Sequence, residues 1–326
     1  MIPGIVAGQM RAATGGGLDP NIGINWTIRT SAANNFWRSI AWSPDINLFA
    51  AVSFDGTSRV MTSPDGVTWT SRTSPAQGWQ AITWAPSIGL FVAVHSSGGT
   101  SGVMTSPDGF NWTSRTTPDN GWMYVAWAPE LSLFVATANA FSVPGIMTSP
   151  DGVNWTARTA AAGNAWQSVA WSPSLSLFAA VSINGTGNRV MTSPDGINWT
   201  SRTSAADNSW QSIAWAPELS LFVAVSQSGT GNRVMTSPDG INWTSRTSAA
   251  DNSWQSVVWA PERGLLVAVA SSGAGDRVMT SPDGVVWIIR TSAADNSWNE
   301  VVWAPALTKF VAVASSGTGN RVMTSL

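Results

Sequence analysis

A period of 43 to 44 residues runs through the chain and constrains its possible folds more than any other feature. One tryptophan, followed by Thr or Ile, marks each unit at successive steps of 43, 43, 43, 44, 44 and 44 residues, namely Trp26, Trp69, Trp112, Trp155, Trp199, Trp243 and Trp287. Each unit holds three tryptophans, which accounts for all 21 in the chain. A fixed period of this length is typical of architectures in which every unit is one supersecondary structure.

Each unit contains four short runs in which apolar and polar residues alternate. In the fifth unit they read SWQSIAWAP, LFVAVS, RVMTS and INWTSRTS, and the segments APELS, SGTGN, SPDG and SAADN separate the runs. Alternation with a period of two predicts β-strands, and no segment has helical periodicity. Four strands per unit, repeated seven times, predict an all-β fold, a seven-bladed β-propeller with four-stranded blades.

The two ends of the chain fit a closed ring. The repeat begins on a fourth run at residues 24–31 and stops after a third run at residues 321–326. In a ring the N-terminal run completes the last blade as its outer strand, which removes the sheet edges that an open array leaves exposed. The predicted organisation is an N-terminal arm with a glycine-rich joint at residues 1–23 and a propeller at residues 24–326.

The composition excludes several classes of function. Charged residues make up only 10% of the chain and the net charge is −2, so no basic field is available for phosphates and we expect no nucleic-acid partner. There is no Cys, and His95 is the only histidine, which excludes the usual zinc ligand sets. We therefore expect no metal and no cofactor, and a solvated loop position for His95.

Neither a membrane span nor an export signal is expected. No apolar run reaches the roughly 18 residues that a spanning helix needs, so we expect no membrane insertion. The opening segment MIPGIVAGQMRAA lacks the basic region and the uninterrupted apolar run of a secretory signal.

The recurring segment SPDG has the residues of a tight turn. Pro presets φ at the second position, Asp bonds local backbone N–H groups, and Gly accepts positive φ, which together predict a type I turn with a bulge. We assign a structural turn role to the aspartates of the six complete copies, Asp65, Asp108, Asp151, Asp195, Asp239 and Asp283.

SPDGINW resembles the Asp-box of sialidase-type (BNR) propellers, a motif that joins the third and fourth strands of a blade and ends in an aromatic residue. The likeness covers six of the seven units, and this sequence has one residue fewer between Asp and Gly than the common spacing. The resemblance implies a structural motif that lies away from any active site.

A sialidase would also need an arginine cluster, a Tyr–Glu pair and an acidic Asp. The chain has one tyrosine, Tyr124, which lies in a first run, while Glu130, Glu218 and Glu262 lie in turns. Glu300 lies in the first run of the last blade, about four blades from Tyr124. We expect these groups to lie apart, and the near-identical units offer no specialised constellation, so the chain is predicted not to be an enzyme.

Two of the four turns per blade, SAADN and SGTGN, are expected on one face of the ring, where the loops at residues 53–58, 95–102 and 138–145 depart from the repeat. Acid and amide groups beside an aromatic ring suit sugar recognition, and the DNS turns provide such sets as candidate glycan-binding residues: Asp207, Asn208, Trp210, Asp251, Asn252, Trp254, Asp295, Asn296 and Trp298. A second interpretation stays open, in which the tryptophans pack in the core and Asp-Asn forms the interblade turn.

The first thirteen residues are apolar, with Arg11 as their only charge, and a TGGG joint follows. Such an arm is suited to docking on a partner chain, with Met1, Ile2, Pro3, Ile5 and Val6 as the candidate contacts. This arrangement, and the wording TSPDGxNWTxRTS, resembles repeat propellers in tail and other virion proteins of bacteriophages. The resemblance implies a virion protein assembled in the host cytoplasm, bound to other virion chains through its arm and displaying a face for host glycan. A free-standing lectin and a sialidase-like glycoside hydrolase are the alternatives.

Overall fold

The structure is a computed structural model that describes residues 19–139 and 144–325. Seven antiparallel four-stranded sheets surround a central channel, so the predicted seven-bladed propeller is confirmed. In each blade the strands follow one another from the channel outwards. Met1, Ile2, Pro3, Ile5 and Val6, assigned to partner docking, lie outside the described residues.

The first and second strands of the blades are the longest. The first strands line the channel and are β2 (Trp37–Ser43), β6 (Trp79–Ala85), β10 (Trp122–Ala128), β14 (Trp166–Ser172), β18 (Trp210–Ala216), β22 (Trp254–Ala260) and β26 (Trp298–Ala304). The second strands are β3 (Leu48–Ser53), β7 (Leu90–His95), β11 (Leu133–Ala138), β15 (Leu177–Ser182), β19 (Leu221–Ser226), β23 (Leu265–Ala270) and β27 (Lys309–Ala314).

The third and fourth strands are shorter. The third strands are β4 (Val60–Ser63), β8 (Val103–Ser106), β12 (Ile146–Ser149), β16 (Val190–Ser193), β20 (Val234–Ser237), β24 (Val278–Ser281) and β28 (Val322–Ser325). The outer strands are β1 (Thr27–Arg29), β5 (Thr70–Arg72), β9 (Thr113–Arg115), β13 (Thr156–Arg158), β17 (Thr200–Arg202), β21 (Thr244–Arg246) and β25 (Ile288–Arg290). Single 3₁₀ turns follow five first strands, at Pro86–Ile88, Pro129–Leu131, Pro217–Leu219, Pro261–Arg263 and Pro305–Leu307. We number the blades 1 to 7 from β2.

Strand β1 closes the ring by pairing with β28 in blade 7, as predicted. The corner that other blades make within one chain segment is made here between the two ends: the Gly23 N–H donates to the Ser325 hydroxyl at 2.7 Å. Ile22 is buried in the core of blade 7. The ring therefore includes residues ahead of position 24, where the sequence placed its start.

The core lies between neighbouring blades. The tryptophan that begins each first strand is fully buried, and it packs with aliphatic residues of the preceding blade. Its indole N–H donates to the carbonyl four residues earlier, as in the 3.1 Å bond from Trp210 to Ala206. Because apolar burial is the main favourable contribution to folding, these contacts hold each blade to the next.

A second set of tryptophans joins the blades on the opposite face. The indole N–H groups of Trp171, Trp259 and Trp303 donate to the Glu130, Glu218 and Glu262 carboxylates of the preceding blade, at 2.7, 2.5 and 2.7 Å. Trp84 donates to Asp45 in the same way. The equivalent N–H groups of three further tryptophans are buried and have no acceptor among the described residues, namely Trp42, Trp127 and Trp215. The preceding blades carry Ala306, Ser87 and Ser174 where the others carry an acid.

We expect Ala306→Glu to stabilise the ring, because it supplies the missing acceptor for Trp42. Satisfying a buried N–H contributes about 1 kcal/mol to the free energy of unfolding. Urea denaturation measures this gain, and Glu218→Ala, which removes the acceptor of Trp259, is the matched change in the opposite direction. Equal midpoints for Ala306→Glu and the wild type would show that this contact does not stabilise the blades.

Candidate functional site

The aspartates of the SPDG segments lie at the corners between the third and outer strands. In one copy the Asp195 carboxylate accepts the N–H groups of Ile197 and Asn198 at 2.8 Å and the Ser193 hydroxyl at 2.9 Å. Burial opposes ionisation here, but these bonds and the Asn198 amide outweigh it and lower the pKa of Asp195 to about 2. The pKa is lowered at the other five copies too, at Asp65, Asp108, Asp151, Asp239 and Asp283. The carboxylates are engaged by their own turns, so they serve the fold.

The tryptophans of the DNS turns cannot provide a platform for a sugar ring. Trp210, Trp254 and Trp298 are 0% exposed, since each begins a first strand and points between two blades. The structure therefore corrects the interpretation of these rings as stacking residues and favours the alternative, in which they pack in the core.

The amides of the same turns are engaged as well. Asn208, Asn252 and Asn296 are buried, and each donates to a loop carbonyl of its own blade, as Asn208 does to Asn232 at 2.8 Å. Asp207, Asp251 and Asp295 are exposed and accept a glycine N–H from the preceding blade at 2.7 Å. Each also lies 3.5 to 3.6 Å from an arginine Nε. The regular DNS turns thus fasten neighbouring loops and leave little free polar capacity for a ligand.

Sequence reasoning missed the channel. One end of the channel opens on the face that carries these turns, which we call the loop face. The residue after the initial tryptophan of each first strand lines that end: Arg38, Gln80, Met123, Gln167, Gln211, Gln255 and Asn299. One residue deeper, serine hydroxyls accept the N–H of the next blade, as Ser39 does from Ile82 at 2.9 Å. Ser168, Ser212 and Ser256 make the equivalent bonds.

Three residues replace serine in this ring, Ala81, Tyr124 and Glu300, and the last two lie close together. Tyr124 and Glu300 both line the channel, close enough for each to shift the pKa of the other, so the expectation that they lie apart is wrong. First strands converge on the axis, so a separation of several blades along the circumference is short across it. Glu300 takes the place of a serine and accepts the Ile40 N–H at 2.9 Å. In the sequence, both residues stand at the position of the first strand where four blades carry Ser, and this shared departure could have indicated a common site.

Burial dominates the protonation of this pair. It raises the pKa of Glu300 to about 7, although hydrogen bonds from Ser39, Ile40 and Tyr124 partly oppose the shift. Burial, and then the charge of Glu300, raises the pKa of the Tyr124 hydroxyl well above its ordinary range. At neutral pH Tyr124 is therefore protonated, and the neutral form of Glu300 is favoured far more than that of an exposed glutamate.

His95 is buried, not solvated as expected. It is the last residue of β7, where its ring packs edge-on against Trp79 with ring centroids 5.3 Å apart. Nδ1 accepts the Ser97 N–H and Nε2 lies 2.8 Å from the Ser101 carbonyl, so Nε2 carries the proton. Burial lowers the pKa of His95. The neutral imidazole thus holds its loop in place through hydrogen bonds to Ser97 and Ser101.

Blades of this kind, closed by the N-terminal strand, define a seven-bladed β-propeller. No family model and no curated protein matches the chain. By contrast, 1287 chains of solved structures match, so the fold alone selects no function. One of them is a chain of the crystal structure of the mitotic checkpoint complex, with 11% identity, a TM-score of 0.70 and coverage of 100% of this chain and 98% of that chain. Identity this low shows the fold only.

In the part of the chain that the structure describes, no helix has the length and apolar character needed to cross a membrane. Within residues 19–139 and 144–325, no group of three or more His, Asp or Glu side chains is arranged to hold a metal ion.

Proposed function

We propose that this chain is a non-enzymatic binding propeller that acts as a component of a bacteriophage particle and presents its loop face to host glycan. The observation that carries the proposal is the uneven distribution of repeat departures. The six SPDG corners keep the same bond from the Ser hydroxyl to the Asp carboxylate, from Ser63 with Asp65 to Ser281 with Asp283. On the loop face, residues 53–58 and 95–102 differ in sequence from blade to blade.

A constant scaffold with variable loops at one end is the usual arrangement of a binding protein. Besides the aspartates of its turns, this loop face carries hydroxyls, amides and the exposed rings of Phe36 and Phe54, which are groups that bind sugar hydroxyls and ring faces. A chain with only 10% charged residues is poorly suited to a highly charged polymer.

The virion part of the proposal rests on the resemblance of the repeat wording to phage propellers and on the apolar segment ahead of the ring. Deleting residues 1–18 separates a virion component from a free-standing lectin. For a virion component, the shortened chain folds and keeps its ligand but no longer enters particles. A free-standing lectin has no such dependence.

A glycan array tests the binding function directly. The full chain, labelled at a surface lysine introduced on the Asp-box face, is applied to neutral and acidic glycans. We expect a restricted set of positive glycans. If no glycan on the array binds the chain at high protein concentration, the proposed glycan binding is wrong.

A glycoside hydrolase is the second candidate, because Tyr124 and Glu300 form the type of pair that sialidases use. A panel of fluorogenic glycosides, assayed with the wild type and Tyr124→Phe, tests it. Turnover that disappears in Tyr124→Phe would establish an enzyme, whereas no turnover on the whole panel agrees with a binding protein.

A further inference from the structure

The junction between blades 7 and 1 departs from the repeat at three positions of a single turn. The junctions into blades 5 and 6 read SAADNSWQ, whereas this one reads SAANNFWR. Asn34 replaces an aspartate, Phe36 a serine and Arg38 a glutamine. One negative charge is lost, one positive charge is gained and an aromatic ring is added, all on the loop face.

The first change leaves Arg321 without its usual counterion. At the regular junctions the equivalent arginine lies beside an aspartate, as Arg189 lies 3.6 Å from Asp207. Asn34 keeps the structural bond, since its Oδ1 accepts the Gly319 N–H at 2.6 Å, but it carries no charge. The turn is therefore preserved while its electrostatic partner is removed.

The Arg321 guanidinium also loses a hydrogen bond. Arg189 donates from Nη1 to the Ile183 carbonyl at 2.9 Å, and Arg233 and Arg277 make the same bond. Arg321 is only 9% exposed, and its buried Nη1 has no acceptor within the described ranges. A buried, unpaired N–H of a charged group is costly unless a ligand or water satisfies it.

Arg38 presents a second unsatisfied guanidinium. Its Nε is buried without an acceptor in the described part of the chain. Burial lowers the pKa of both Arg38 and Arg321, and Asp55 is the acid that opposes this effect at each. Among the described residues, Asp55 forms no ion pair within 4.0 Å of either guanidinium. Two arginines and one aspartate leave the cluster with a net positive charge.

Two exposed aromatic rings complete the cluster. Phe36 is 44% exposed and Phe54 is 39% exposed, and the Phe54 N–H donates to the Phe36 carbonyl at 3.0 Å. The Arg321 guanidinium lies 5.7 Å from the centre of the Phe36 ring, and that of Arg38 lies 5.9 Å from the Phe54 ring. Gly78 of blade 2 makes room for Phe54, because a Cβ there would lie 2.7 Å from the ring.

We propose that Phe36, Arg38, Phe54 and Arg321 form a binding site for a saccharide that carries a carboxylate. This inference rests on the proposed glycan-binding function and names its site and ligand class. A guanidinium offers a fork of N–H donors that matches a carboxylate. The exposed phenyl rings provide apolar faces for the sugar ring. Two arginines suit a single acidic sugar rather than a polyanion.

Isothermal titration with trisaccharides ending in glucuronic acid or in sialic acid tests the site, with lactose as the neutral comparison. The variant Asn34→Asp, Phe36→Ser, Arg38→Gln restores the wording of the regular junctions, so we expect it to fold. Loss of charge-assisted bonds contributes about 1.5–3 kcal/mol each, so the affinity for the acidic trisaccharides should fall at least about 10-fold. The matched control changes the same positions of a regular junction, Asp251→Asn, Ser253→Ala and Gln255→Ala, and should bind as the wild type does.

The outcomes separate this inference from the proposed function. If the triple variant binds acidic saccharides as tightly as the wild type, the site is wrong while glycan binding stands. Binding of neutral saccharides alone contradicts the ligand class. No binding on the titrations or on the glycan array contradicts both. Equal unfolding midpoints of the triple variant and the wild type exclude misfolding as the cause of a loss.

Discussion

Replacing Glu300 by glutamine is expected to prevent most of the loss of stability that the wild type undergoes between pH 5 and pH 8. Burial raises the pKa of Glu300 from 4.5 to about 7 in the folded protein. Between these values the folded state holds a proton that the unfolded state has released, so the free energy of unfolding falls as the pH rises. The full difference corresponds to at most about 3 kcal/mol. Glutamine is neutral at every pH, and its carbonyl can still accept the Ile40 N–H.

Urea denaturation at pH 5, 6, 7 and 8 measures this effect. Glu300→Gln and the wild type should have similar stability at pH 5, and the variant should be more stable at pH 8. Glu218→Gln, on the opposite face, serves as the control and should keep the wild-type slope. Parallel pH profiles for Glu300→Gln and the wild type would show that the pKa of Glu300 is not raised in the folded protein.

The aspartates of the SPDG segments determine how stability changes at low pH. Their lowered pKa values mean that the folded state stays ionised below pH 4 while the unfolded state takes up protons. Stability is therefore lost as the pH falls from about 4 towards 2. Together with Glu300, this places the maximum stability of the wild type near pH 5.

Trp210→Ala should have the second large effect, a loss of about 3–5 kcal/mol in the free energy of unfolding. The ring is fully buried between blades 4 and 5, where it contacts Val181 and Val190, so its removal leaves a cavity. Asp207→Ala, three residues away on an exposed side chain, should change stability by less than about 1 kcal/mol.

Denaturation and glycan titration on the same two variants distinguish a core tryptophan from a ligand platform. A core residue lowers the unfolding midpoint and leaves the affinity of the remaining folded protein unchanged. If Trp210→Ala instead kept the midpoint and lost the ligand, the interpretation of this ring as a stacking residue would return.

The architecture could be predicted because periodicity acts on the whole chain at once. The step between successive tryptophans fixes the number of blades, and the phase of the two termini fixes how the ring closes. The SPDG corners could be assigned because Pro, Asp and Gly each have a local conformational role that does not depend on the neighbouring blades. Long-range packing was needed for neither result.

The site could not be predicted in the same way, because the exposure of a side chain depends on its neighbours. Trp210 follows a polar turn, which suggested an exposed ring, yet it is the first residue of a strand that points into the interblade core. The contact of Tyr124 with Glu300 crosses the axis of the ring and has no counterpart in sequence separation. The sequence showed one tyrosine and one glutamate within first strands, both at a position where most blades carry Ser, but it did not show that the two side chains meet.

Departures from the repeat are therefore more informative than the repeat itself. The regular DNS turns recur in blades 5 to 7, but their polar groups bind neighbouring loops of the ring. At the junction into blade 1, Asn34, Phe36 and Arg38 change together while the turn keeps its backbone bonds. A position that is free to vary without loss of the fold is where a ring of equal blades can acquire a specific ligand.

A crystal structure of the full chain with a glucuronic acid-terminated trisaccharide tests the central claim most directly. We expect one bound sugar at the junction of blades 7 and 1, with its carboxylate on Arg38 and Arg321 and its ring against Phe36 or Phe54. A sugar bound at the regular DNS turns, or in the channel beside Glu300, would contradict it.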